Sequence, residues 1–162
     1  MICRLTDSEA DAKKYSLKLL SYRARSENEL RHRLAEKGFT DIVISGTIKT
    51  LEQLGYLDDK ALAVNLKREA LTNRLLGYKS AKYFLLKRGI DLDVVESALQ
   101  YDEETELHNA RRLADKKTRL MGNDFSASAQ RKLWNFLARR GYSYNTIKKV
   151  LGNFNFKKED IS

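Results

Sequence analysis

Three glycines in this chain stand in one recurring setting, each preceded by a basic residue and followed by a large apolar one: Lys37-Gly38-Phe39, Arg88-Gly89-Ile90 and Arg140-Gly141-Tyr142. They are spaced 51 and 52 residues apart. Leu34, Leu85 and Leu137 lie four positions before them, and Leu30, Ala81 and Leu133 eight before. Those offsets share one face of a helix, which glycine then ends at the position where a positive φ costs it least. Two residues beyond each glycine is an N-cap type, Thr40, Asp91 or Ser143, whose oxygen can accept the first free N–H of a following helix. That helix repeats its own apolar pattern, with Ile44, Val95 and Ile147 six beyond the glycine and Ile48, Leu99 and Leu151 ten beyond.

A further helix precedes each pair. In copy one it runs from Asp11 to Ala24 with Leu17, Leu20 and Ala24 at helical spacing; Ser26 then opens the second helix, with Glu29 completing a capping box. The third helix ends at Gly55. Copy two opens with Leu62, Leu66 and Ala70 and breaks at Gly77, and copy three opens with a helix from Glu103 to Leu120, followed by its longest loop, Met121 to Ser126. Proline is absent and there are only eight glycines, which disfavours turn-rich architectures and leaves a helix-forming composition. The expectation is an all-α protein of three tandem three-helix repeats: an N-terminal extension (1–10), repeats at 11–57, 58–102 and 103–156, and a frayed tail (157–162). A unit of about fifty residues buries only about 60% of its unfolded surface, so neighbouring copies should share interfaces in an elongated, curved array.

Lys and Arg number 31 against 22 Asp and Glu, a net charge of +9, which favours a polyanionic partner. Cys3 is the single cysteine, so no intrachain disulfide can form. No apolar stretch at the N-terminus resembles a leader and none is long enough to span a membrane; a cytoplasmic protein without membrane contact, acting as a monomer, is expected.

Several stretches together resemble the bacterial RecX family, regulators of the RecA recombinase. They are Leu19-Leu20-Ser21-Tyr22-Arg23-Ala24-Arg25-Ser26-Glu27-Asn28-Glu29-Leu30-Arg31, Lys37-Gly38-Phe39, Gly55-Tyr56-Leu57-Asp58-Asp59, Lys87-Arg88-Gly89-Ile90, and Phe136-Leu137-Ala138-Arg139-Arg140-Gly141-Tyr142-Ser143-Tyr144. The resemblance runs from about residue 12 to 152. One departure is Gly77-Tyr78-Lys79-Ser80, where the family often has Gly-Tyr-Gly-Pro, and proline would suit a first helical turn. The resemblance implies three-helix repeats and binding to RecA in the groove of its filament on single-stranded DNA. It further implies inhibition of filament extension, ATP hydrolysis and strand exchange.

The basic surplus is uneven. From Glu27 to Gly38, Glu27, Glu29 and Glu36 offset Arg31, Arg33 and Lys37, whereas Lys79, Lys82, Lys87 and Arg88, and likewise Arg131, Lys132, Arg139 and Arg140, lie in second helices without an acid. Arg111, Arg112, Lys116, Lys117 and Arg119 add to copy three against Asp115. Solvated helix faces account for such clusters in many proteins. Their recurrence at matching positions suggests a shared face that contacts DNA phosphates or acidic filament surface by charge neutralisation. Trp134, where the other copies have Arg31 and Lys82, is either an interface residue or a boundary packer. Phe84 and Phe136 fall on the leucine side and are expected in the core; Tyr56, Tyr78 and Tyr142 should brace the glycine corners.

No catalytic, metal or cofactor site is expected. His32 and His108 have no metal-binding partners in the pattern, and neither a phosphate loop nor a nucleophile elbow occurs. Asp58-Asp59 and Asp102 to Glu104 lie at helix starts, where the macrodipole favours acids. An independent DNA-binding repeat protein and a helical adaptor for an acidic protein are the alternatives.

Overall fold

The computed structural model describes residues 8–156; Cys3 and the tail beyond Phe156, to which two of the expectations refer, lie outside them. Among the described residues are nine α-helices and one π-turn: α1 Glu9–Tyr22, α2 Glu27–Lys37, α3 Asp41–Gln53, α4 Asp59–Arg68, the π-turn Glu69–Asn73, α5 Tyr78–Lys87, α6 Leu92–Ala98, α7 Glu103–Leu120, α8 Ala127–Arg139 and α9 Tyr144–Leu151. The protein is all-α and built from three-helix repeats.

The three glycine turns form alike. Gly38, Gly89 and Gly141 have φ of +95°, +73° and +85°, conformations open to glycine at little cost. In each, the N–H of the next residue donates back to the carbonyl of the leucine four before the glycine: Phe39 to Leu34 at 3.2 Å, Ile90 to Leu85 at 3.4 Å and Tyr142 to Leu137 at 3.3 Å. This closes the helix end, and the apolar residue beyond it is buried in every copy. Leu34, Leu85 and Leu137 have no exposed surface, and Ile44, Val95, Ile147, Ile48, Leu99 and Leu151 are all buried. Each fully buried leucine contributes roughly 1.5–3 kcal/mol relative to an exposed one.

The helices gather into two compact units. One contains the chain to Leu66 together with Leu85–Ala98; the other contains Lys67–Phe84 and the chain from Leu99 onward. In the first, Ala12, Leu30, Leu34, Phe39, Val43, Ile44, Ile48, Leu51 and Leu57 form the core, with Tyr15, Leu17, Leu19 and Leu20 packed against it. The first helix begins and ends earlier than expected. Ser8 Oγ accepts the Ala10 N–H at 3.2 Å, and the backbone is extended at Arg23, leaving Ala24 exposed outside the helix. The capping box forms by half. Ser26 Oγ accepts the Glu29 N–H at 3.1 Å, but the Glu29 carboxylate is taken by arginines, and Asp59 Oδ1 accepts the first N–H of α2, from Glu27, at 3.0 Å. Thr40 makes no side-chain cap.

In the second unit, Ala110, Leu113, Ala114, Leu133, Leu137, Tyr142, Ile147, Val150 and Leu151 form the core. Asp102 caps α7; its carboxylate accepts from the Thr105 hydroxyl and from the Thr105 N–H at 3.1 Å, and these bonds hold its pKa below the usual value. Ser126 and Ser143 cap α8 and α9. Gly77 does not break a helix as the sequence suggested. The regular helix already ends at Arg68, the π-turn follows, and Leu75 turns the chain with φ of +49°. Asn109 Nδ2 donates to the Leu71 carbonyl at 3.0 Å, satisfying one acceptor that the widened turn frees.

Candidate polyanion interface

Each unit contains the same kind of junction, in which a glycine turn docks on the start of a second helix one copy earlier. In the first unit, Asn28 Nδ2 donates to the Gly89 carbonyl at 3.0 Å and to Asp91 Oδ1 at 2.8 Å. The Arg88 guanidinium donates to the Ala24 carbonyl at 2.9 Å and to Glu29 Oε1 at 3.3 Å. In the second unit the Gly77 N–H donates to the Arg140 carbonyl at 2.8 Å, the Arg140 guanidinium donates to the Arg74 carbonyl at 3.0 Å, and the Tyr142 hydroxyl donates to the Leu75 carbonyl at 2.8 Å. Burial, then the charge of Glu106, pushes the Tyr142 phenol far above its ordinary value.

These junctions divide the basic residues picked out by sequence. Arg88 and Arg140 are half-buried clamps between copies; Arg140 also stacks its guanidinium 5.6 Å from the centre of the Phe136 ring. Lys79, Lys87, Lys132 and Arg139 are exposed. Arg131 is exposed and Lys82 half-buried, and both have interaction partners within the chain. In the second unit, docking of Ser80 against Gly141 sets the backbone of Lys79 beside that of Arg140. Lys87 and Arg88 belong to the first unit.

Trp134 is half-buried and packs edge-on against Tyr144 at 5.1 Å, at the margin of the core. Phe84 and Phe136 are also only half-buried, each with a cation on its face: Arg74 lies 4.5 Å from Phe84, and Lys117 lies 5.4 Å from Phe136. The expectation of core packing holds for Phe136, at the core's edge. Tyr142 braces its corner and Tyr78 packs edge-to-face on Tyr101 at 5.4 Å, whereas Tyr56 is 57% exposed.

The charge count missed one grouping because its members come from different copies. Arg23 forks onto Glu29 at 2.8 and 2.9 Å, and Arg88 joins it on Oε1. Partial burial works against the Glu29 carboxylate, yet hydrogen bonds and charge from Arg23 and Arg88 hold its pKa below the usual value. Beside it Arg25 is half-buried, and that desolvation, followed by the charge of Arg23, lowers its pKa from the ordinary arginine value. The repeat offsets align Gly38, Gly89 and Gly141, and that alignment could have signalled contact between Arg88 and copy one.

Elsewhere the acids serve structure. Asp58 Oδ1 accepts the Ala61 N–H at 2.9 Å, Glu103 pairs with Lys149, and Glu106 Oε1 accepts the Ser143 N–H at 3.4 Å. Among the described residues no group of three His, Cys, Asp or Glu could hold a metal ion, and no helix is long and apolar enough to cross a membrane. His32 and His108 are exposed.

Fold and surface together define a helical-repeat protein whose polar chemistry goes into capping and clamping helices and whose free charge is basic. Comparison with known proteins narrows the class. Residues 12–51 match the first three-helix domain of RecX, and residues 104–151 match its third. The chain is 30% identical to the regulatory protein RecX of Clostridium botulinum (strain Alaska E43 / Type E3) over 93% of its own length and 73% of that protein's. It is 32% identical to the regulatory protein RecX of Amycolatopsis mediterranei over 88% and 85% of the two chains. The crystal structure of RecX from Lactobacillus salivarius superposes with a TM-score of 0.79 at 28% identity, covering 91% of this chain and 97% of that one. The chain belongs to the RecX family of regulatory proteins.

Proposed function

We propose that this protein regulates homologous recombination and DNA repair by binding RecA and its filament on single-stranded DNA. It acts in the cytoplasm as a monomer and restrains filament extension, ATP hydrolysis and strand exchange. The observation that carries this reading is membership of the RecX family across most of the chain. The exposed bases Lys79, Lys132 and Arg139 of the second unit add support, since cationic helix residues suit a nucleoprotein carrying regularly spaced phosphates. Arg88 and Arg140 contribute indirectly, by holding the copies together so that the exposed bases are presented on fixed backbone.

The test is a titration into RecA, single-stranded DNA and ATP with hydrolysis as the readout. Inhibition at protein levels well below the available DNA sites is expected. Inhibition that begins only once bare DNA is saturated, or never begins, would replace this reading with that of an independent DNA-binding protein.

A further inference from the structure

Arg25 is poorly placed for a residue with a purely structural task. Its Nε donates to the Leu19 carbonyl at 3.4 Å, a long bond that fixes one edge of the guanidinium. Among the described residues no acceptor engages its two terminal nitrogens. The positive charges of Arg23, Arg33 and Arg88 act on it against the single carboxylate of Glu29. That carboxylate is already committed to Arg23 and Arg88, and Arg33 is committed to Glu36 at 2.9 Å. A guanidinium set among like charges, with one edge unengaged by the protein, is stabilised when an oxyanion meets that edge. A phosphate oxygen pair fits that edge bidentately.

A second observation lies three residues back. Tyr22 ends α1 with 75% of its surface exposed, so its ring face is open to solvent. Three residues place it within about 11 Å of Arg25 along the chain, a reach that adjoining nucleotides span. An acidic protein surface would use the arginines but not the ring, whereas single-stranded nucleic acid uses both, because any base can stack on an aromatic face.

We propose that the segment joining α1 to α2 is a binding site for single-stranded nucleic acid, in which Arg25 takes a backbone phosphate and Tyr22 stacks a base. This deepens the polyanion reading above and adds a locus in copy one, where the sequence charge is balanced. Glu29 has a positioning role: by holding Arg23 and Arg88 it keeps their charge beside Arg25 while leaving Arg25 itself free.

The test uses the full chain, without RecA, and a fluorescently labelled deoxythymidine oligonucleotide, with anisotropy measured across a salt series. Tyr22→Ala should weaken binding between about 5-fold and about 150-fold with no change in salt dependence. Arg25→Gln should lower the slope of log affinity against log salt by about 0.7, the signature of one lost phosphate contact on a single strand. Arg25→Lys should keep the slope but bind less tightly, since lysine cannot fork. Full affinity in Tyr22→Ala, or an unchanged slope in Arg25→Gln, overturns the proposal. So does an Arg25→Gln variant that loses competition by poly-glutamate while binding the oligonucleotide normally, which would assign the site to acidic protein. Should Arg25→Gln fold poorly, as circular dichroism would show, Tyr22→Ala decides alone, because its exposed ring contributes little to packing. RecA inhibition is measured separately, so loss of this site and failure of the regulator reading are distinguishable.

Discussion

Gly77 and Gly141 meet backbone to backbone. A Cβ placed on Gly77 would lie 2.4 Å from the carbonyl carbon of Gly141, and one on Gly141 would lie 2.4 Å from the Ser80 amide nitrogen. Both approaches are too close for any side chain, and backbone cannot move aside as a flexible side chain can. The 2.8 Å bond from the Gly77 N–H to the Arg140 carbonyl depends on this approach.

Gly141→Ala should therefore cost about 3 kcal/mol or more, combining a strained positive φ with a backbone clash. Gly38→Ala has the same backbone need but nothing within 4 Å of its new methyl, so strain alone should cost about 1–2 kcal/mol. Urea unfolding of both variants checks the difference; equal losses would mean that the close approach contributes nothing.

Arg140→Gln removes the guanidinium bond to the Arg74 carbonyl, and about 1 kcal/mol of stability should go with it, since one side of the contact is open to water. Lys132→Gln, at an exposed position, should change stability by less than about 0.5 kcal/mol. Thermal melts of the two side by side separate clamp from surface charge.

Tyr142→Phe leaves the Leu75 carbonyl without its 2.8 Å donor at a residue already held at φ of +49°. A loss of about 1–2 kcal/mol is expected. Because burial pushes this phenol far up, no tyrosinate signal from it should appear in ultraviolet absorbance below about pH 11, past the usual tyrosine midpoint near 10.

Glu29 makes stability pH-dependent. Its folded pKa is lowered, so its contribution is fully present above the ordinary glutamate value of about 4.3 and is lost as pH falls through the folded value. The effect should be only about 0.5–1 kcal/mol, because the Arg23 half of the pair is 43% exposed and screened. Asp59, whose pKa burial raises, works in the opposite sense. The Glu29→Gln variant should lose less stability than the parent on acidification below about pH 4.3. Parallel curves in urea would rule the pair out as the cause.

Replacing Lys79, Lys132 and Arg139 by glutamate should weaken binding to the RecA–DNA filament and flatten its salt dependence by about 0.7 to 0.9 per lost phosphate contact. Helix content should stay unchanged. Equal affinity at two salt concentrations would remove these residues from the interface.

Most of the fold was legible because its signals are local. Glycine at the helix end, leucine four residues before it, leucine or alanine eight before it and an apolar pair after it recur with every copy, and all those apolar positions are buried. Helix ends were less legible. Ala24 fits the helical spacing of α1, but the backbone is extended at Arg23 and the Ala24 carbonyl accepts from Arg23 and Arg88 outside the helix. Gly77 has the look of a helix breaker, yet its purpose is to let Arg140 and Gly141 approach, which no local pattern records.

By itself the sequence determined the helical class, the repeat and the glycine turns, because propensity, periodicity and a positive φ act over a few residues. Tertiary structure decided what each charge does. Arg88 and Arg139 look alike in a sequence count, but one is drawn onto Glu29 and Ala24 from a distance of about sixty residues and the other remains in water. Charge acts through space, and only the folded chain sets which charges are close enough to pair.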